Sequence, residues 1–206
     1  MPTEDVRALI GRSLLHDEET AMAGVRYRAK DLTEGLDGIL YTCAQCGSVG
    51  TTTAGGNRIR CTACGLDAEL DGYYRLHGAP VGSINEWFYR QQNGIDLSVP
   101  LTSEVRIGTV GDDGLMCENA GHGVATLNRE EFTLSGEVFG EVLSFRLTPE
   151  QIGAFPITVG KHFDVYYHNR LYYVYPLPDM RATVLWVSYM DRLAEEAREK
   201  AASAQP

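Results

Sequence analysis

Tyr41-Thr42-Cys43-Ala44-Gln45-Cys46-Gly47 and, with fourteen residues between Cys46 and Cys61, Cys61-Thr62-Ala63-Cys64-Gly65 decide how this chain is organised: four of its five cysteines stand here as two C-x-x-C-G knuckles. A Zn²⁺ ion takes four ligands in a tetrahedron, and thiolates are its preferred closed, structural set. Two cysteines with two residues between them can turn both sulfurs toward one ion. A glycine directly after the second allows the positive φ that closes the knuckle and lets amide N–H groups approach the sulfurs. The gap falls one residue under the usual range of about 15–20 between paired knuckles, a small departure because it only has to form a hairpin. Disulfides and unconnected buried thiols are the competing readings, and repetition of the same knuckle makes both poor ones. The pattern predicts one structural Zn²⁺ per chain on Cys43, Cys46, Cys61 and Cys64. Four thiolates on Zn²⁺ carry a net charge of about −2 and leave no position open for water, so the metal would hold shape and supply no electrophile.

Working outward, the gap reads as a zinc ribbon: Ser48–Thr53 is β-prone, Ala54–Asn57 is a turn, and Arg58–Arg60 leads back to Cys61. Ala68–Leu76 reads as a third strand interrupted at Asp71-Gly72. Upstream, residues 3–15 and about 17–27 have helical patterning, followed by a charged linker over 28–37. Downstream, Ser83 caps a helix with Glu86 at its third position, the capping-box arrangement. That helix carries Trp87, Phe88 and Tyr89, which are expected to pack against the ribbon or the next domain.

From about Leu101 the texture changes to short β segments: Thr102–Val110, Gly123–Leu127, Glu131–Leu134, Glu137–Leu147, Phe155–Val159, Lys161–Tyr167 and Leu171–Tyr175. A helix from about Met180 follows, with Ala182, Trp186, Tyr189, Leu193 and Ala197 as one apolar stripe and Glu195, Glu196, Arg198, Glu199 and Lys200 outside. The expected fold is therefore mainly β with α: a four-cysteine zinc ribbon, then a small seven-strand barrel of pleckstrin-homology-like or GRAM-like outline, its open end capped by the C-terminal helix. The expected boundaries are a helical lead-in over 1–38, the ribbon and Trp-bearing helix over 39–98, and the barrel with its helix over 99–206.

With 206 residues, 44% hydrophobic and 22% charged, the composition is that of a globular protein with room for one core and a small stapled module. A net charge of −10 builds in no attraction to nucleic acid or anionic lipid. Within 41–76, Arg58, Arg60 and Arg75 are offset by Asp67, Glu69 and Asp71, which argues against nucleic acid as partner. Cysteines committed to metal fit a reducing compartment, and neither a signal-peptide core nor a run long enough to span a membrane is visible, so the expected location is cytoplasmic.

Signatures of catalysis are sparse. There is no G-x-S-x-G elbow, Walker-type loop or G-x-G-x-x-G motif. The five histidines, at 16, 77, 122, 162 and 168, are scattered and read as surface or half-buried residues, with His162 and His168 too far apart along one strand to cooperate. Cys117 reads as an indifferent thiol on an edge or loop, Asp112-Asp113 as a turn, and the tyrosines at 166, 167, 172, 173 and 175 as cross-strand packing.

One order of parts is familiar. An acidic helical lead-in precedes Gly38–Tyr41 and the knuckles; then come Glu86-Trp87-Phe88-Tyr89, Glu131-Phe132-Thr133 and Tyr172–Pro176. This order resembles the region downstream of the catalytic domain in some bacterial 1-acylglycerol-3-phosphate acyltransferase-like proteins. The resemblance would cover nearly the whole chain. It implies a non-catalytic accessory module, regulatory or interacting, associated with phospholipid biosynthesis. The implied partner is a protein or acyltransferase domain, with a peripheral membrane contact compatible. That family's catalysis uses histidine as base with aspartate five positions on, and none of the five histidines here has that partner. No catalytic residue carries over. The alternative is a free-standing zinc-ribbon scaffold that binds another protein, with a nucleic-acid-associated role behind it.

Overall fold

Two antiparallel sheets follow one another along the chain, each with its own apolar core. The computed structural model describes residues 5, 6, 9, 10, 21, 23–111 and 113–203, the side chains of 200–203 excepted. Most of the lead-in helices expected over 3–15 and 17–27, together with His16 and Asp112, lies outside the described residues; Asp5, Val6, Leu9, Ile10 and Ala21 are helical.

The first sheet is the ribbon. Its strands are β1 (Thr52–Gly55), β2 (Arg58–Cys61), β3 (Asp67–Leu70) and β4 (Leu76–His77), paired in that order. The β1–β2 hairpin turns on Gly56-Asn57, two residues with positive φ as a tight twisted hairpin demands, so β1 starts later than the expected Ser48. The interruption expected at Asp71-Gly72 is real and separates β3 from β4. Leu40, Ile59, Ala68 and Leu70 are fully or almost fully buried beneath Trp87, which lies on helix α1 (Ile84–Asn93). Ser83 caps α1 through its Oγ, which accepts from the Glu86 amide at 3.2 Å. The reciprocal half of the expected capping box is displaced by one residue, because the Glu86 carboxylate accepts from the Gly82 amide instead. Tyr89 projects into solvent, whereas Trp87 is fully buried in the ribbon core and Phe88 packs half-buried against it.

The second sheet has seven strands: β5 (Leu101–Val110), β6 (Met116–Leu127), β7 (Phe132–Val138), β8 (Glu141–Leu147), β9 (Ile157–Thr158), β10 (His162–Tyr167) and β11 (Arg170–Pro176), in the order β8-β7-β6-β5-β11-β10-β9. The expected barrel is not closed. Among the described residues strand β8 pairs only with β7 and β9 only with β10, so the two do not pair with each other. The intervening chain holds a four-residue helix, α2 (Pro149–Ile152), and sends Phe155 into the core against Phe132 and Phe163, with ring centroids 5.4 and 4.7 Å apart. Phe145 on β8 stacks on Tyr167 at 4.2 Å, so the two ends of the curled sheet meet through side chains instead of backbone hydrogen bonds.

Two strand boundaries also differ from expectation. Ser135-Gly136 is not a turn but the middle of β7, and the hairpin falls at Phe139-Gly140. Gly136 pairs with Gly123 across the ladder, where a Cβ on either would collide with the partner backbone. The glycine marks a close approach, not a chain reversal. Strand β6 begins at Met116, which places Cys117 half-buried within a strand.

Helix α3 (Thr183–Ser203), entered through a 3-10 turn at Met180–Ala182, lays Val184, Trp186, Tyr189, Met190 and Leu193 toward the chain's interior. Trp186 stacks on Phe163 at 5.2 Å and meets Phe132 edge-on at 6.3 Å. The apolar stripe ends at Leu193; Ala197 is exposed, and Glu196 is drawn in by a two-pronged pair with Arg129. The helix covers a sheet face where a plug at the end of a barrel was expected.

Arg181 stitches the halves together. Its guanidinium donates to Asp37 Oδ2 and to the Thr52 carbonyl, both at 3.0 Å, and pairs with Asp179 at 2.7 Å. Those bonds from Asp179, opposed by partial burial and reinforced by Asp37, raise the Arg181 pKa, while Arg181 in turn lowers that of Asp179. A carboxylate with a depressed folded pKa stabilises fully at neutral pH, and its contribution fades only as pH falls below the ordinary carboxyl range. Arg181→Gln is expected to cost about 1–3 kcal/mol, in line with charge-assisted hydrogen bonds, and to make the ribbon melt ahead of the sheet. A melt shifted by less than about 0.5 kcal/mol would show that the seam carries no weight.

Candidate metal centre

The two knuckles are built alike. In the first, the Cys43 amide donates to Ser48 O and the Gly47 amide to Cys43 O; in the second, the Cys61 amide donates to Leu66 O and the Gly65 amide to Cys61 O. Each chain reversal needs a left-handed residue at the glycine, with φ of 72° at Gly47 and 74° at Gly65. Nothing lies within 4 Å of the position a Cβ would take at either, so the requirement is conformational and not steric.

The hairpin between the knuckles carries the two cysteine pairs to one point. Cys43 Sγ lies 3.7 Å from Cys64 Sγ and Cys46 Sγ 3.9 Å from Cys61 Sγ, and all four sulfurs fall within 4.8 Å of one another. Metal–sulfur bonds of about 2.3 Å in a tetrahedron give sulfur–sulfur edges of about 3.8 Å. A disulfide needs about 2.05 Å. The cluster therefore has the dimensions of a tetrahedral metal cage, the donor set fits a soft or borderline ion, and the four thiols could hold one.

Cys43 and Cys61 are buried and Cys46 is exposed. Burial pushes the Cys43 thiol up to about 12 in the absence of metal. Burial acts the same way on Cys61 but is outweighed by the Thr51 hydroxyl, 3.2 Å from its sulfur, and by the Cys64 and Ala63 amides, which bring it down to about 6. The Ser48 hydroxyl, 3.3 Å from the Cys46 sulfur, lowers that thiol. Hydroxyls and amides facing the sulfurs are what a thiolate cage needs, since they absorb the negative charge that four deprotonated sulfurs would share.

Helix α1 pins the first knuckle from behind. Trp87 Nε1 donates to Thr42 O at 2.8 Å, and Gln91 both accepts from the Thr42 amide at 2.7 Å and donates to Ile39 O at 3.0 Å. Gln91 was invisible as a site residue because its partners are backbone groups about fifty positions away. A groove of about 530 Å³ opens beside Cys43, walled by Val49, Ile95, Val99, Leu101, Leu185 and Tyr189.

Of the histidines, His77 pairs with Asp71 at the surface, His122 lies 3.7 Å from Glu137, and His168 sits in the β10–β11 turn, away from His162. His162 departs from expectation. It is buried, with Nδ1 2.9 Å from Asp164, a partner two positions on along the same strand face. The ribbon's arginines 58 and 60 are tied to Asp67, and Arg58 also to Glu69. No helix among the described residues is long and apolar enough to cross a membrane. No protein-family model, curated protein or solved structure matches the chain.

Proposed function

We propose that this chain is a non-catalytic interaction module whose ribbon is held by one structural Zn²⁺ on Cys43, Cys46, Cys61 and Cys64. The observation that carries it is the packing of four sulfurs at tetrahedral spacing. A metal enclosed by four thiolates has no position for a substrate oxygen or a water, so the ion's chemistry would be mechanical: it would lock the two knuckles and, through Thr42, the seat of α1. Elemental analysis of protein purified without chelators is expected to give one zinc per chain, and its absence would sink the reading.

The narrower proposal is an accessory role beside a phospholipid acyltransferase domain, supported by the order of parts along the sequence. On that reading the isolated chain turns over no acyl thioester with a lysophospholipid acceptor. His162, a buried histidine held by a carboxylate, is the residue to challenge, because acyl transfer to a hydroxyl needs an oriented base. Sustained product above a heat-killed control, abolished in His162→Gln, would overturn the non-catalytic reading. The free-standing protein-binding scaffold is favoured in turn by the apolar groove beside Cys43.

A further inference from the structure

The face of the second sheet turned away from α3 holds a group of polar side chains that the ribbon does not use. Along β5, β10 and β11, alternate residues point to opposite faces. Val105, Ile107, Phe163, Val165, Tyr172 and Val174 enter the core with Trp186. Arg106, His162, Asp164, Tyr173 and Tyr175 take the other side. Arg106 and Tyr175 are direct cross-strand neighbours, and the guanidinium lies 3.7 Å above the Tyr175 ring centroid. The His162 ring meets Tyr175 edge-on at 5.0 Å, with Nδ1 committed to Asp164 and no hydrogen bond at Nε2 among the described residues. Lys161 stands next in the chain.

A bulge aims a carboxylate into this group. The β5–β6 register breaks between Ile107 and Thr109, so that Glu118 and its two followers are accommodated opposite Gly108. A Cβ at Gly108 would press on the Cys117 and Glu118 backbones at 3.0–3.3 Å. Bulges re-aim side chains, and here Glu118 reaches Lys161 Nζ at 2.7 Å and Arg106 at 4.0 Å, while Arg106 also donates to the Glu118 carbonyl. Lys161 above all, then Arg106 and His162, lower the Glu118 pKa, so three cationic or cation-forming side chains surround one carboxylate. Beneath them the Tyr175 hydroxyl is fully buried and, among the described residues, has no hydrogen-bond partner in good geometry, Arg106 being its nearest cation. A buried hydroxyl without a partner is costly and calls for an occupant. Exposed ion pairs alone stabilise little, so the arrangement is poorly explained as a device for stability.

We propose that Arg106, Lys161, His162 Nε2 and the Tyr175 hydroxyl form a binding site for a phosphate monoester, occupied in the resting protein by the Glu118 carboxylate. Arg offers a planar fork and Lys a point charge, the pairing that phosphate recognition uses. A phosphate has more acceptor oxygens than a carboxylate and can take the Tyr175 hydroxyl as well. Glu118 then acts as an internal competitor that an incoming dianion displaces. The inference stands apart from the zinc and from the acyltransferase partner.

The test uses the full, zinc-loaded chain and inorganic phosphate, followed by calorimetry and by amide chemical shifts at residues 106, 118 and 161. Glu118→Gln is expected to bind phosphate at least about tenfold more tightly than the parent, since it removes the competing charge and frees the Lys161 ammonium, a charge-assisted donor. Adding Lys161→Gln, a surface change that should leave the fold intact, is expected to return the affinity to the parent level or below. Vesicles of phosphatidic acid against phosphatidylcholine separate the sources of the monoester: selective flotation of Glu118→Gln assigns a lipid headgroup, and phosphate binding without flotation assigns a soluble one. Failure of Glu118→Gln to bind either probe overturns the site. Binding that is indifferent to Lys161→Gln reports an adventitious ion only and overturns it equally.

Discussion

Cys61→Ser protein is expected to emerge from purification without zinc and with an unfolded ribbon. Cys61 is buried at the base of the second knuckle, takes the Thr51 hydroxyl at its sulfur, and lies in the ribbon's own core with Leu40, Ile59 and Leu66. Structural zinc binding is worth on the order of 10 kcal/mol in small ribbons, more than a two-to-four-strand sheet of this size can replace from apolar burial. The second core has no cysteine other than Cys117 at its margin, so the sheet is expected to survive. The chain's two tryptophans report the two outcomes separately, because Trp87 is buried in the ribbon core and Trp186 in the sheet core. In Cys61→Ser, emission from Trp87 should shift to the red, whereas a Trp87→Phe background should show Trp186 unchanged. Cys117→Ser should alter neither zinc content nor emission. Full zinc occupancy in Cys61→Ser would remove the four-thiolate site, and loss of both tryptophan signals together would show that the halves fold as one unit through the Arg181 seam.

Trp186→Ala is expected to cost about 3–5 kcal/mol, the range for truncating a large, well-packed aromatic. Trp186 is 3% exposed and is wedged between Phe132 and Phe163, which themselves close on Phe155 and Phe145. Its removal would leave a hole at the point where α3 meets β7 and β10, and no flexible neighbour among those rings can fill it. The free-energy difference is read from denaturant unfolding followed by circular dichroism, with the ribbon signal from Trp87 as an internal control. A cost below about 1 kcal/mol would mean that α3 is not part of the fold.

How far the chain could be read before folding differs from part to part. The knuckles were legible because their chemistry is local: two cysteines and a glycine within five residues specify both the clustered thiols and the turn. The Trp-bearing helix, its Ser83 cap and the C-terminal stripe through Leu193 were legible for the same reason, since capping and helical periodicity act within one or two turns. The hairpin at Phe139-Gly140 was not. Ser135-Gly136 is an equally good turn by local rules, and only the opposed Gly123 on β6 explains why glycine stands inside a strand. Closure of the barrel was likewise misjudged, because strand number and spacing say nothing of whether the last edges pair. Phe155 and α2 decide that, from a segment whose pattern is ambiguous.

The sequence by itself determined the four thiols, the two-part organisation and the apolar face of α3, because each depends on residues close along the chain. Tertiary structure alone decided that Gln91 holds the first knuckle, that Arg181 joins the halves across more than a hundred residues, and that a bulge at Gly108 brings Glu118 over Arg106 and Lys161. Those contacts pair side chains with backbone groups or with partners remote along the chain or displaced by a bulge. Such pairing has no fixed spacing, because it is set by sheet order and by close backbone approach, neither of which leaves a periodic trace in the residues themselves.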